Sequence, residues 1–116
     1  MTIIHQNKWN WGRKATIVIA NGRALCQLSI EDDNRAVAHL SDLIVYESAR
    51  GFGLGNELLK LSQKVARDMG ATMLALWADP NQWVVDWYKR HGFRQQLVYD
   101  DGMVGLTLDL DERPEK

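Results

Sequence analysis

Seven consecutive residues near the middle of the chain, Arg50-Gly51-Phe52-Gly53-Leu54-Gly55-Asn56, join a cation to three glycines on alternate positions. Glycine lets a backbone turn tightly, and the missing Cβ atoms leave backbone amides open to a ligand. From Leu54 onward Leu58, Leu59, Leu61, Val65, Ala66 and Met69 recur at three- and four-residue steps, which predicts a helix beginning at the loop. The unpaired N–H groups and positive dipole end of such a helix suit a phosphate or pyrophosphate. A tight strand-to-helix turn needs the same glycines, so the loop alone leaves both readings open. Two familiar phosphate motifs do not fit. A P-loop would continue Gly-Lys-Ser/Thr, and a dinucleotide fingerprint needs a further glycine at position 56, where Asn56 stands.

Other reactive residues are sparse. Cys26 is the single cysteine, so no intrachain disulfide and no cysteine-rich metal site can form; no other metal-ligand spacing is present. With no histidine near it in sequence, Cys26 reads as a small buried residue rather than an acyl-carrying nucleophile. Strand alternation puts His39, Ser41 and Leu43 on one face. Imidazole suits a base near neutral pH, although a strand histidine bonded to a neighbour explains it equally well. Asp42 should face the other side, and Glu47 sits where the loop begins. His91, beside Gly92, reads as a charge at a helix C-terminus. Trp83 and Trp87, four residues apart, read as core or pocket packing.

The elements that must position these residues follow from period and turn chemistry. Ala15–Ala20 is β-rich, and Asn21-Gly22 predicts a type I′ hairpin, whose two central residues need positive φ. Ala24–Ile30 returns antiparallel, Glu31-Asp32-Asp33-Asn34 turns again, and Arg35–Tyr46 is a third strand. The helix from Leu54 should end at Gly70. Thr72–Ala78 is a short apolar run suited to a strand covered on both faces. Asp79-Pro80-Asn81 breaks it, and a second helix runs from about Gln82 to His91. Phe93–Tyr99 and Met103–Leu110 close the chain as a hairpin around Asp100-Asp101-Gly102. A helix joining the third and fourth strands makes those two parallel neighbours, with the rest antiparallel. The expected class is α+β, a mixed sheet with helices packed on its faces, with Thr2–Gln6 available as an extra short strand.

At 116 residues the chain fits one domain, with 1–14 as an N-terminal segment and 111–116 as a polar tail. A hydrophobic fraction of 46% and a charged fraction of 25% argue for a globular protein. The net charge of −1 lacks the concentrated basic face that a nucleic-acid binder needs. No apolar stretch approaches a membrane span. Met1–Lys14 carries no export signal, and with one cysteine the expected location is the cytoplasm.

The glycine loop also belongs to a longer pattern. Leu43-Ile44-Val45 precedes it by five residues, and Asn81, Val84, Tyr88, Gly92 and Phe93 follow at fixed spacings. Together these resemble the Gcn5-related N-acetyltransferase family. Its cofactor motif, Arg/Gln-x-x-Gly-x-Gly/Ala, reads here as Arg50 to Gly55, and its Asn-x-x-Ala-x-x-x-Tyr-x-x-x-Gly-Phe pattern as Asn81 to Phe93. The element order also agrees from about Ala15 to Leu110. Glu47 stands where proline is frequent and Val84 where alanine is frequent. The larger departure is at the front: most members carry two helices there that wall the acceptor pocket, and no such helices are expected here.

The resemblance implies that acetyl-coenzyme A is bound and its acetyl group passed directly to a primary amine, of a small molecule, peptide or protein, without a covalent enzyme intermediate. It implies that backbone groups of Leu43, Ile44 and Val45 pair with the pantetheine arm like another strand, and that one N–H polarises the thioester carbonyl. Amides of Arg50, Gly51, Phe52, Gly53, Leu54, Gly55 and Asn56 would take the pyrophosphate. Asn81 matches a pantetheine contact, although a helix N-cap accounts for it too. Tyr88 matches the tyrosine near the cofactor sulfur that serves as the acid, with core packing as the plain alternative. His39 lies where members often place the base. No metal is implied. The missing helices motivate a rival reading, a non-catalytic module that senses acetyl-coenzyme A and regulates a partner protein. A second copy of the chain, contacted through Trp9-Asn10-Trp11, could also complete the front as a homodimer.

Overall fold

The computed structural model describes residues 2–81 and 83–110. The predicted helix start at Gln82 and the polar tail 111–116 therefore lie outside the described residues. The elements are β1 (Ile3–Trp9), β2 (Gly12–Ile19), β3 (Ala24–Glu31), β4 (Asn34–Val45), α1 (Leu54–Asp68), β5 (Met73–Ala78), α2 (Val84–Arg90), β6 (Arg94–Val98) and β7 (Val104–Asp109). The strands form one mixed sheet in the order β1-β2-β3-β4-β5-β7-β6. β4 and β5 pair in parallel, as a connecting helix requires, and the other neighbours pair antiparallel.

Alternation along the strands builds a single core on one side of the sheet. Ile17 and Ile19 of β2, Cys26 and Leu28 of β3, Leu40 of β4, Leu74 and Leu76 of β5 and Leu106 of β7 all point into it. Leu58, Leu59, Val65 and Ala66 of α1 meet them, and Val85 and Tyr88 of α2 join the same cluster. Each fully buried Leu or Ile contributes about 1.5–3 kcal/mol relative to exposure. Two arginines pin α1 down. Arg13 donates to the Met69 carbonyl at 2.8 Å, and Arg67 to that of Leu110 at 3.1 Å.

Three expectations need correction. The extra strand is longer than Thr2–Gln6: β1 pairs along its length with β2, from Ile3↔Val18 to Trp9↔Gly12, and only Asn10-Trp11 connects them. The hairpin at Asn21-Gly22 closes on Ile19↔Ala24, and Ala20, Asn21 and Gly22 all take positive φ, so the turn is wider than a two-residue type I′ loop. β5 is covered on one face only, with Trp77 54% exposed on the other. The reason is that the buried sides of α1 and α2 face the same core, so no helix among the described residues covers the opposite face. None of these helices is long and apolar enough to cross a membrane.

β4 carries the feature that makes a site. Gln27 pairs with Ser41 but Leu25 with Ile44, so one extra residue sits on β4. Asp42, at φ 54°, takes up the kink. The bulge reverses the alternation: Leu40 is buried before it, and Leu43 packs against the core after it. His39 and Ser41 therefore lie on the opposite face from Leu43, contrary to unbroken alternation. Pairing of β4 with β5 stops at His39↔Ala75, although β4 continues to Val45 and β5 to Ala78. The two parallel strands part, leaving a gap. Aspartate and asparagine tolerate the left-handed conformation that β-branched residues resist. Asp42→Val should lower unfolding free energy by about 1–2 kcal/mol, while Asp42→Asn stays within about 0.5 kcal/mol, as read by urea titration.

Candidate active site

A cleft of about 570 Å³ opens where β4 leaves β5. Leu43, Ile44 and Val45 form one wall. On their other side Ile44 and Val45 are held by β3, through Leu25 and Ala24. The end of the cleft is the glycine loop, with Arg50, Gly51, Gly53, Gly55 and Asn56 lining it. Arg50 folds back, its Nε donating to the Val45 carbonyl at 3.0 Å, so the loop is tied to the strand it leaves. Gly53, at φ 76°, is the N-cap of α1, and no side chain caps that end. The first turn of α1 thus keeps donors for a ligand, next to the arginine, which is the arrangement an anion needs.

The far wall comes from α2: Trp83, Val84, Trp87 and Tyr88. A Cβ on Gly55 would stand 3.4 Å from the Trp87 ring, in contact with it, so a side chain branching beyond Cβ would meet the indole. His91 fastens them. Its Nδ1 lies 2.8 Å from the Trp87 carbonyl and its Nε2 2.9 Å from Asn56 Oδ1. Trp87 and His91 were missed as site residues. The four-residue spacing of Trp83, Trp87 and His91 on one short helix was the available signal.

Tyr88 is 7% exposed, packs edge-on against Phe93 and Trp87, and lines this cleft. It also lines a second, smaller cavity of about 280 Å³ in the gap between the parted strands. The two cavities share Leu43, Val84 and Tyr88, and the smaller adds Ser41, Asp42, Trp77 and Asp79. Burial, with a smaller contribution from Cys26, pushes the Tyr88 phenol up to about 12. Burial likewise pushes the Cys26 thiol up to about 12, which leaves it a poor nucleophile.

Of the residues singled out in sequence, ten of the cofactor set and Tyr88 among them line the larger cleft, but Phe52 and Asn81 do not. Phe52 is 77% exposed. The Asn81 N–H donates to Asp79 Oδ1 at 2.9 Å within the Asp79-Pro80-Asn81 turn, and the N-cap of α2 is Trp83. His39 lines neither cavity. Its ring stacks on Trp77 at 5.7 Å and 10°, on the uncovered face, and its buried Nδ1 has no hydrogen-bond partner among the described residues.

The acetyltransferase (GNAT) family model matches residues 6–93, which span β1 to the end of the α2 motif. The chain belongs to this family. Solved structures agree on the fold. An acetyltransferase of Bacillus subtilis in complex with CoA is similar with a TM-score of 0.71 and 16% identity, over 94% of this chain and 99% of that one. The ribosomal-protein-S18-alanine N-acetyltransferase of Escherichia coli gives 0.70 and 17%, over 93% and 75%. The PaiA N-acetyltransferase of Thermoplasma acidophilum, in complex with coenzyme A, gives 0.68 and 17%, over 83% and 59%.

Two buried acids, Cys26 in the core and Tyr88 at the cleft, have a consequence for stability. Cys26 and Tyr88 are held neutral in the fold, whereas in the unfolded chain they ionise near their ordinary values of 9.0 and 10.0. Above those values the unfolded chain binds fewer protons, so their contribution is complete below about pH 9 and is lost as pH rises towards about 12. The urea midpoint should fall across that window, and Cys26→Ala should flatten the fall; a midpoint that holds level to the upper end would contradict this.

Proposed function

We propose that the protein is an N-acetyltransferase that moves the acetyl group of acetyl-coenzyme A directly onto a primary amine. The observation that carries this reading is the position of Tyr88 at the junction of two cavities, one ending in an anion cradle and the other opening on the uncovered face. The cleft fits the donor substrate: an uncapped helix start beside Arg50 for its pyrophosphate, and the unpaired side of β4 for an arm with amide groups.

The amine nitrogen attacks the thioester carbonyl carbon, the carbon–sulfur bond breaks, and the thiolate leaves. Full proton transfer to a thiolate, whose ordinary value is near 8.5, is uphill for a phenol at about 12. Tyr88 therefore serves as a hydrogen-bond donor to the sulfur as charge develops there, and the proton shed by the amine balances the thiolate. His39 takes that proton through water, since it lines neither cavity but stacks on Trp77, which lines the smaller one.

Calorimetry with coenzyme A should show binding, and Gly55→Val should abolish it by driving a branched side chain against Trp87. Tyr88→Phe should lower kcat about a hundredfold with the KM for acetyl-coenzyme A changed only a few-fold, measured by thiol release with a panel of amines. Binding of coenzyme A without release for any amine would sink the enzyme reading and favour the sensing module, for which the uncovered sheet face is the supporting observation.

A further inference from the structure

We infer that the acceptor is an amine carrying a second positive charge, a diamine or polyamine, and not a free amino acid. This rests on the transferase reading above and concerns the smaller cavity, on the far side of Tyr88 from the glycine loop. Two carboxylates, Asp42 and Asp79, line a space of only about 280 Å³, and no Lys, Arg or His stands among its described lining residues. An acceptor with its own carboxylate would have to place that anion beside two others with no cation to offset them, a like-charge cost that weakens binding.

Two further observations point the same way. Trp77 forms part of the lining and is itself half-exposed, and the exposed Tyr99 ring lies 5.9 Å from it. Indole and phenol faces attract ammonium groups. Asp79 is also held in place, because its Oδ1 accepts the Asn81 N–H at 2.9 Å, while the bulge sets the backbone from which Asp42 projects. The Asp79 carboxylate is thus oriented before a ligand arrives, which lowers the ordering cost of recognition. One carboxylate answers the reacting amine as it enters, and the other answers the distal ammonium.

The test compares three probes that share one reacting amine and differ at the far end: diaminobutane, butylamine and aminobutanoate. Thiol release from acetyl-coenzyme A should give kcat/KM highest for diaminobutane, about tenfold or more above butylamine, with aminobutanoate lowest. Asp42→Asn and Asp79→Asn keep the bulge and the turn, since asparagine accepts the left-handed conformation and retains the Oδ1 acceptor. In the double variant the diaminobutane-to-butylamine ratio should collapse towards one. Equal rates for the three probes, or aminobutanoate first, would overturn the inference while leaving the transferase reading intact. The same amines titrated calorimetrically into the coenzyme A complex separate the two failures. Ordered binding without thiol release counts against transfer alone, and neither order nor release counts against both.

Discussion

Everything functional in this molecule depends on two parallel strands that stop being partners. β4 and β5 are joined by α1 and pair from Val37↔Met73 to His39↔Ala75, after which the bulge at Asp42 turns β4 away. Unpaired backbone polar groups inside a protein are costly, so a sheet would normally close such a gap. Here the gap persists because β3 holds one side of β4 and β7 holds one side of β5, leaving each strand a single free side. Those free sides present backbone donors and acceptors to the cleft, which is the kind of wall that an occupant with amide groups of its own can pair with.

The two ends of the gap are treated oppositely. At one end the chain leaves β4 through glycines and enters α1 without a capping side chain, so positive character accumulates where the loop meets Arg50. At the other end, beyond Tyr88, the lining carries two aspartates. An extended ligand with an anionic head and a reactive tail has one orientation in such a field, and a cation approaching its tail is drawn from the opposite side. The phenol between them is buried enough to stay protonated throughout, and it marks the plane where the two charge environments meet.

How far the sequence revealed this depends on which forces write themselves into local pattern. The glycine loop was legible because positive φ and close approach demand a particular residue type, and the order of strands and helices because period two and period 3.6 look different. The bulge was not. Leu40-Ser41-Asp42-Leu43-Ile44-Val45 contains no glycine or proline and scans as an ordinary strand, so the reversed faces of His39 and Leu43 are set by pairing with β3. The apolar run of β5 looked doubly covered because such a run reads alike with one face buried or two. The contact of His91 with Asn56 joins residues 35 apart, and no local signal encodes it. Asn81 and Phe52 occupy motif positions, yet the Asn81 backbone N–H closes a turn onto Asp79 and the Phe52 ring lies in solvent.

The short α2 has a mechanical consequence. Seven residues, about 10 Å of helix, carry Trp87 against the glycine loop, Tyr88 at the junction of the cavities, and His91, at the end, latched to the first turn of α1. A segment that short cannot bend along its length, so the packing of Trp87 and the latch of His91 together fix where Tyr88 stands between them. The phenol is held in position by the same contacts that close the glycine loop against α2.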